Sequence, residues 1–163
     1  MEKSRNLVKD PVCGVEVPPH QHAIDYLKIP YAFCSRQCLE RFLAHPHLYV
    51  GQPGHKAPRQ EGRQILKRRS LRLATALDTD QTAMLAESLC ALRGIKALKT
   101  GPDTLEITYD LLQVTTEQIE QKMAEIGVKL GDGWTERLRL SFVHYEEELE
   151  AGSLEVSDRN IYD

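Results

Sequence analysis

The chain has 163 residues, of which 41% are hydrophobic and 28% charged, with a formal net charge of −3. This composition is that of a globular protein of one domain or two small ones, and it excludes a chain that is disordered throughout. No apolar run reaches the roughly 20 residues needed to cross a bilayer, so no membrane span is expected.

Three cysteines mark the N-terminal quarter of the chain. Cys13 lies in Asp10-Pro11-Val12-Cys13-Gly14, and Cys34 and Cys38 follow as a Cys-x3-Cys pair. Their odd number and the polar start of the chain argue against a secreted disulfide framework, so a reducing cytoplasmic location is expected. Structural zinc sites use this spacing, and a third thiol from a distant loop adds a third ligand. The pattern predicts that Cys13, Cys34 and Cys38 bind one heavy-metal ion, Zn(II) or Cu(I).

A fourth ligand would have to come from elsewhere in the chain. Imidazole suits zinc and copper alike, whereas a site made only of thiolates favours soft ions such as Cu(I). The sequence does not decide whether there is a fourth ligand or which of four nearby histidines it would be. These histidines are His20, His22, His45 and His47.

Local patterns predict the elements that carry these thiols. Residues 23–33 are typical of two short strands around a turn, and residues 35–44 have the apolar spacing of an amphipathic helix. Cys34 would lie at the start of this helix, where the helix dipole favours the thiolate, and Cys38 would follow one turn later. The predicted module is a loop, a hairpin and a helix.

This pattern resembles the YHS/TRASH family of small metal-binding domains over about the first fifty residues. The resemblance implies a treble-clef-like zinc-finger fold that binds heavy metals through its cysteines, often attached to copper-transporting ATPases, mercury-handling proteins or metal-responsive regulators. Val15 departs from the family, which usually has methionine after the glycine, and this puts copper selectivity in doubt. The matching positions are Asp10-Pro11-Val12-Cys13-Gly14, Val17, Tyr31, Phe33-Cys34-Ser35, Cys38, Phe42, Pro46 and Tyr49.

A basic linker is predicted at residues 51–69, between a metal-binding module at residues 7–50 and a second domain at residues 70–131. Residues 50–63 contain three glycines and two prolines and have no apolar periodicity. The run Lys67-Arg68-Arg69 is a candidate for binding nucleic acid, but no aromatic residues interleave it as they would in a stacking platform. A solvated linker is therefore favoured, and nucleic-acid binding is not expected.

The second domain shows the order strand, helix, strand, strand, helix, strand, which is the split βαβ or ferredoxin-like arrangement. With the first module, this order predicts an α+β fold class. The expected elements are strand 71–77, helix 80–93 ending at Gly94, strands 95–99 and 104–109, a helix opened by a Thr115–Gln118 capping box and ending at Gly127, and strand 128–130.

Residues 70–131 also resemble the heavy-metal-associated domain of copper chaperones and transport ATPases. The resemblance rests on Leu92-Arg93-Gly94-Ile95 and Glu125-Ile126-Gly127-Val128. The Cys-x-x-Cys of that family is missing, since Asp78-Thr79-Asp80-Gln81 occupies the loop after the first strand. No metal ligand is therefore assigned here, and a docking surface and a dimerisation unit both remain open.

Residues 132–163 are predicted to form a C-terminal helix and tail. Leu138, Phe142, Tyr145 and Leu149 recur at helical spacing, and this stripe is expected to pack on its own domain, with a partner's groove as the alternative.

Taken together, these patterns predict a cytoplasmic heavy-metal-binding protein in metal handling, such as a metallochaperone or buffer serving a metal-transporting ATPase. No phosphate loop, nucleophile elbow or His-Glu-x-x-His helix occurs, so an enzyme is not expected. The alternatives are a structural zinc module in a protein-interaction adaptor and a metal-responsive regulator. Whether the protein forms a homodimer is left open.

Overall fold

The structure, a computed structural model, describes residues 6–131 and 134–155, without the side chains at 134–136 and 138. Within these residues the chain forms two units. The first contains residues 6–63 together with 154–155, and the second contains residues 64–153. The predicted helix start at residues 132–133 and the tail after residue 155 lie outside the described residues.

Two small antiparallel sheets and one helix make up the first unit. Strand β1 (Val8–Lys9) pairs with β2 (Glu16–Val17), and β3 (Ile24–Tyr26) pairs with β4 (Ile29–Tyr31). Leu27 and Lys28 both have positive φ, as a two-residue hairpin turn of type I′ requires. Helix α1 (Arg36–Ala44) and a 3-10 turn follow. The predicted order of loop, hairpin and helix is therefore present.

An aromatic cluster fixes α1 to the hairpin. The ring of Phe42 is fully buried, and the centroids of its neighbours lie 5.1 to 6.0 Å away. Such ring pairs add stabilisation beyond their buried area. Because Cys38 precedes Phe42 by one turn, this packing also fixes the position of the Cys38 thiol. The neighbouring rings are those of Tyr26, Tyr31, Phe33 and Tyr49.

Residues 51–63 differ from the linker predicted there, because they fold back onto the first unit. The Arg59 N–H donates to the Leu48 carbonyl at 3.0 Å, and Ala57 is fully buried. Gln52 and His55 form an antiparallel bridge of their own. Turns held by such hydrogen bonds have no apolar periodicity, so the sequence pattern alone did not reveal them.

A three-stranded antiparallel sheet forms the centre of the second unit. Its strands β5 (Leu66–Arg72), β6 (Ile95–Thr100) and β7 (Thr104–Asp110) lie in the order β5-β7-β6. Helix α2 (Thr79–Cys90) follows β5, and helix α3 (Thr116–Glu125) follows β7. An antiparallel bridge between Leu73 and Leu130 adds the last segment beside β5. The predicted ferredoxin-like order and the α+β fold class are confirmed, although residues 128–130 contribute one bridge rather than a strand.

Strand β5 begins five residues earlier than expected, at Leu66 instead of residue 71, and ends at Arg72. Residues 66–69 are thus part of the sheet and not of a linker. Their basic character suggested a solvated segment because the acidic partners lie far away in the sequence. Three ion pairs accommodate the basic run: Lys67–Glu150, Arg68–Glu106 and Arg69–Glu146.

Capping boxes open both helices that pack on the sheet. The side chains of Asp78 and Thr115 accept hydrogen bonds from the N–H groups of Gln81 and Gln118, whose side chains bond back to the cap residues. The Thr115 box was predicted from the sequence. The core between helices and sheet contains mainly aliphatic residues, including Leu85, Leu89, Leu105, Ile107, Ile119 and Met123.

Helix α4 (Trp134–Leu154) packs on the second unit by a face that the sequence did not predict. Glu147 and Ala151 are buried, whereas Phe142, Tyr145 and Leu149 are 61%, 62% and 55% exposed. The expectation that this stripe packs on its own domain is wrong for these three residues, while the Leu138 side chain lies outside the described residues. No helix within the described ranges is long and apolar enough to span a membrane.

The buried carboxylate of Glu147 explains this choice of face. It accepts hydrogen bonds from the Thr116 N–H at 3.0 Å and from the Tyr109 hydroxyl at 2.7 Å, and it also contacts the Thr116 hydroxyl. Thr116 is the first residue of α3, where unpaired N–H groups favour a negative charge. Burial with these partners therefore determines how α4 is rotated.

Candidate metal centre

Asp10 organises the loop that carries Cys13. Its Oδ1 atom accepts hydrogen bonds from the N–H groups of Val12 at 2.7 Å and Cys13 at 3.3 Å, while its backbone carbonyl accepts one from Gly14 at 2.8 Å. Gly14 has φ of +83°, a conformation that glycine adopts at little cost. We refer to residues 10–15, which the Asp10–Val15 backbone hydrogen bond closes, as the Cys13 loop.

The same carboxylate connects this loop to the start of α1. Asp10 Oδ2 accepts a hydrogen bond from the Cys34 N–H at 2.8 Å, and Gln21 Nε2 donates to the Cys34 carbonyl at 3.0 Å. Ser35 is the N-cap of α1, so Cys34 lies just before the helix and Cys38 within its first turns. One buried acid thereby sets the positions of two thiols.

The three predicted ligands meet at one point, and we call them the thiol cluster. The Sγ atom of Cys34 lies 3.5 Å from that of Cys13 and 3.5 Å from that of Cys38. Together with Asp10, their ligand atoms all lie within 4.8 Å of one another. Sulfurs bound tetrahedrally to zinc at about 2.3 Å would be about 3.8 Å apart. The donor set therefore fits a single ion with only small side-chain movements.

Exposure divides the thiol cluster, since Cys38 is fully buried whereas Cys13 and Cys34 are half-buried. A hydrogen bond with the Cys38 thiol lowers the pKa of Cys13 to about 7, and the same bond, with burial, raises the pKa of Cys38. Burial also raises the pKa of Cys34. We expected the helix start to favour a thiolate at Cys34, but desolvation outweighs that effect and Cys13 is the more acidic thiol.

None of the four candidate histidines joins the cluster in the described part of the chain. His47 instead bonds through Nε2 to the Tyr26 hydroxyl at 2.8 Å and through Nδ1 to the Val50 carbonyl at 3.0 Å. His20 and His22 are exposed, and His45 is buried away from the cluster.

Asp10 is the fourth residue of the cluster, where the sequence left a histidine and the absence of a fourth ligand as alternatives. Its side chain is 1% exposed and already accepts three N–H hydrogen bonds, so it acts on the cluster whether or not it contacts an ion. A carboxylate oxygen is a harder donor than sulfur and suits zinc better than Cu(I). Sequence reasoning did not single out Asp10, although its place two residues before Val12 in an Asp-Pro turn was the available signal.

Comparison with known proteins gives one family match. Residues 8–53, less than a third of the chain, match the model of the YHS domain. This stretch contains Asp10 and the whole thiol cluster, and the resemblance noted from the sequence is confirmed for it. No curated protein matches the chain.

One solved structure is similar to part of the chain, the crystal structure of oxidized MerP from Ralstonia metallidurans CH34. The identity is 9%, the TM-score is 0.39, and the alignment covers 41% of this chain and 96% of that chain. A likeness this weak carries no argument about function. The YHS match and the converging thiols together support heavy-metal binding by the first unit.

Proposed function

We propose that this protein binds one heavy-metal ion, Zn(II) or Cu(I), through the thiolates of Cys13, Cys34 and Cys38. In this proposal the protein works in the cytoplasm as a metallochaperone or buffer, without catalysis, and passes the ion to a protein partner such as a metal-transporting ATPase. The observation that carries the proposal is the convergence of three thiols from two separate segments of the chain, with the Cys34 sulfur 3.5 Å from each of the other two.

Partial exposure of the site supports a carrier. Cys13 and Cys34 are half-buried, so a thiol from another protein has access to an ion held there while the buried Cys38 still binds it. Thiolates hold soft ions tightly, and exchange through shared ligands avoids releasing the ion to water. A site enclosed on all sides would not allow this pathway.

A structural zinc module in a protein-interaction adaptor is the second candidate. The buried Cys38 and the aromatic cluster around Phe42 favour it, because an ion held there would tie α1 to the Cys13 loop. The regulator alternative gains no such support, since Lys67, Arg68 and Arg69 are all engaged in ion pairs with glutamates.

Native mass spectrometry of the full chain separates these functions. For a carrier, we expect one ion per chain and replacement of Zn(II) by buffered Cu(I) with the fold intact. A zinc ion that resists replacement and whose removal unfolds the first unit would instead indicate a structural module. Cys38→Ser should lose the ion, and Cys90→Ser, at an exposed cysteine outside the cluster, should retain it. Full metal content in Cys38→Ser would refute the ligand assignment.

A further inference from the structure

The side chain of Arg59 contacts the Cys13 loop, although Arg59 lies 47 positions after Val12 in the chain. Its Nε atom donates a hydrogen bond to the Val12 carbonyl at 2.7 Å. Its Nη2 atom lies over Gly14, 3.6 Å from where a Cβ would project from that glycine. The guanidinium therefore bonds to the residue before Cys13 and lies on the side-chain side of the residue after it.

The backbone around Arg59 is fixed as well. The Arg59 N–H donates to the Leu48 carbonyl at 3.0 Å, which joins this segment to the 3-10 turn after α1. Ala57 is fully buried, and its N–H donates to the Gln60 side chain at 2.9 Å. A side chain held by an ordered backbone loses less freedom when it forms a contact, so the contact restrains the Cys13 loop more effectively.

Asp10 and Arg59 act on the two polar groups of the same residue. Asp10 accepts from the Val12 N–H, and Arg59 donates to the Val12 carbonyl. The peptide units on both sides of Val12 are thereby anchored, and Cys13 follows directly. Asp10 lies within residues 8–53, which match the YHS domain, whereas Arg59 lies beyond them.

We infer that Arg59 is a positioning residue of the metal site, which holds the Cys13 thiol toward Cys34 and slows the release of the ion. The effect on metal release rests on the proposed metal binding, whereas the contact of Arg59 with the Cys13 loop does not. Residues that orient metal ligands through hydrogen bonds typically change metal affinity by about 10- to 100-fold when they are replaced. Through Arg59, residues 51–63 therefore contribute to metal binding by the first unit.

The test compares three variants of the full-length protein: Arg59→Ala, Arg59→Lys and Arg63→Ala. Arg63 is an exposed arginine in the same segment, so its replacement removes the same charge and serves as the matched control. Zinc-loaded protein is mixed with excess chromophoric chelator, and the rate of zinc release is measured. We expect release to be about 10-fold faster for Arg59→Ala. Arg63→Ala should match the unmodified protein, and Arg59→Lys, which keeps one donor, should recover part of the loss.

A second measurement needs no metal. Hydrogen exchange of the Cys13 and Gly14 amides, both bonded to Asp10, should speed up in metal-free Arg59→Ala but not in Arg63→Ala. If exchange is unchanged, Arg59 does not position the loop and the inference is overturned, whatever the release rate. Equal release from Arg59→Ala and Arg63→Ala would also overturn it. If the unmodified protein binds neither Zn(II) nor Cu(I) while the exchange effect appears, the proposed function fails and the positioning role stands.

Discussion

Asp10 and Cys34 are 24 residues apart, and a 2.8 Å hydrogen bond from the Cys34 N–H to Asp10 Oδ2 joins them inside the first unit. The other carboxylate oxygen serves the Cys13 loop. A single buried acid thus connects the two segments that supply the thiols. Because hydrogen bonds to charged groups are stronger than those between neutral groups, this connection is important for the geometry of the site.

Asp10→Asn should weaken both the fold of the first unit and its metal binding. An amide has one acceptor oxygen, and its NH2 group would face an N–H donor, so at least one buried donor loses its partner. We expect a loss of about 2 to 3 kcal/mol. Hydrogen exchange of the α1 amides in metal-free protein would report it. Asp25→Asn, at an exposed position in β3, is the control, and equal protection in the two variants would contradict the role of Asp10.

Metal affinity should increase with pH. The pKa values of Cys34 and Cys38 are raised, so at neutral pH both thiols carry protons that an ion must displace, while Cys13, with a pKa of about 7, is already partly ionised. Each displaced proton strengthens apparent binding by about tenfold per pH unit.

Chelator competition between about pH 7 and 9 would measure this slope, and release of protons into weakly buffered solution would provide an independent count of them. An apparent affinity that does not change over this range would mean that the thiols are not the ligands, or that they are ionised before the metal binds.

Gly94→Ala should destabilise the second unit more than Gly127→Ala does. Both glycines have positive φ, +90° and +82°, so alanine is strained at either position by about 1 to 2 kcal/mol. A Cβ at Gly94 would also lie 2.7 Å from Gln113 Cβ, whereas nothing lies within 4 Å at Gly127. Both variants share the cost of positive φ, so the difference between their melting temperatures measures the steric cost at Gly94. Equal melting temperatures would show that the loop before β6 adjusts freely.

Glu147→Ala should loosen α4 and the start of α3. The substitution leaves the Thr116 N–H and the Tyr109 hydroxyl buried without their acceptor, at a cost of about 1 to 3 kcal/mol per group. The exposed Glu87 of α2 offers a control, since its replacement removes the same charge from another helix. Chemical denaturation followed by circular dichroism compares the two, and identical midpoints would indicate that α4 does not depend on this acid.

The sequence correctly predicted features that depend on short motifs, namely the three cysteines and the Thr115 capping box. The spacing of Cys13, Cys34 and Cys38 identified side chains that do converge, and Thr115 with Gln118 identified a capping box that does form. Thr115 and Gln118 lie within one helical turn, and the three cysteines belong to a motif with few other uses.

The errors arise where distant residues determine the outcome. Arg69 looked like part of a linker because its partner Glu146 is 77 positions further along the chain. His47 looked like a possible ligand because its partner Tyr26 could not be known from sequence spacing. The outward stripe of α4 was misjudged because apolar periodicity gives no weight to a buried carboxylate, and Glu147 determines the buried face.

Glu147 also has a consequence for what α4 displays. Rotating or sliding α4 would withdraw a charged group from all its donors, so the helix has one permitted setting on the second unit. Phe142, Tyr145 and Leu149 consequently point in a fixed direction relative to the sheet. In protein in which serine replaces Cys13, Cys34 and Cys38 of the first unit, spin labels at the exposed Cys90 and at Tyr145→Cys would then give one narrow distance distribution. Any molecule bound to this stripe would consequently have a defined orientation.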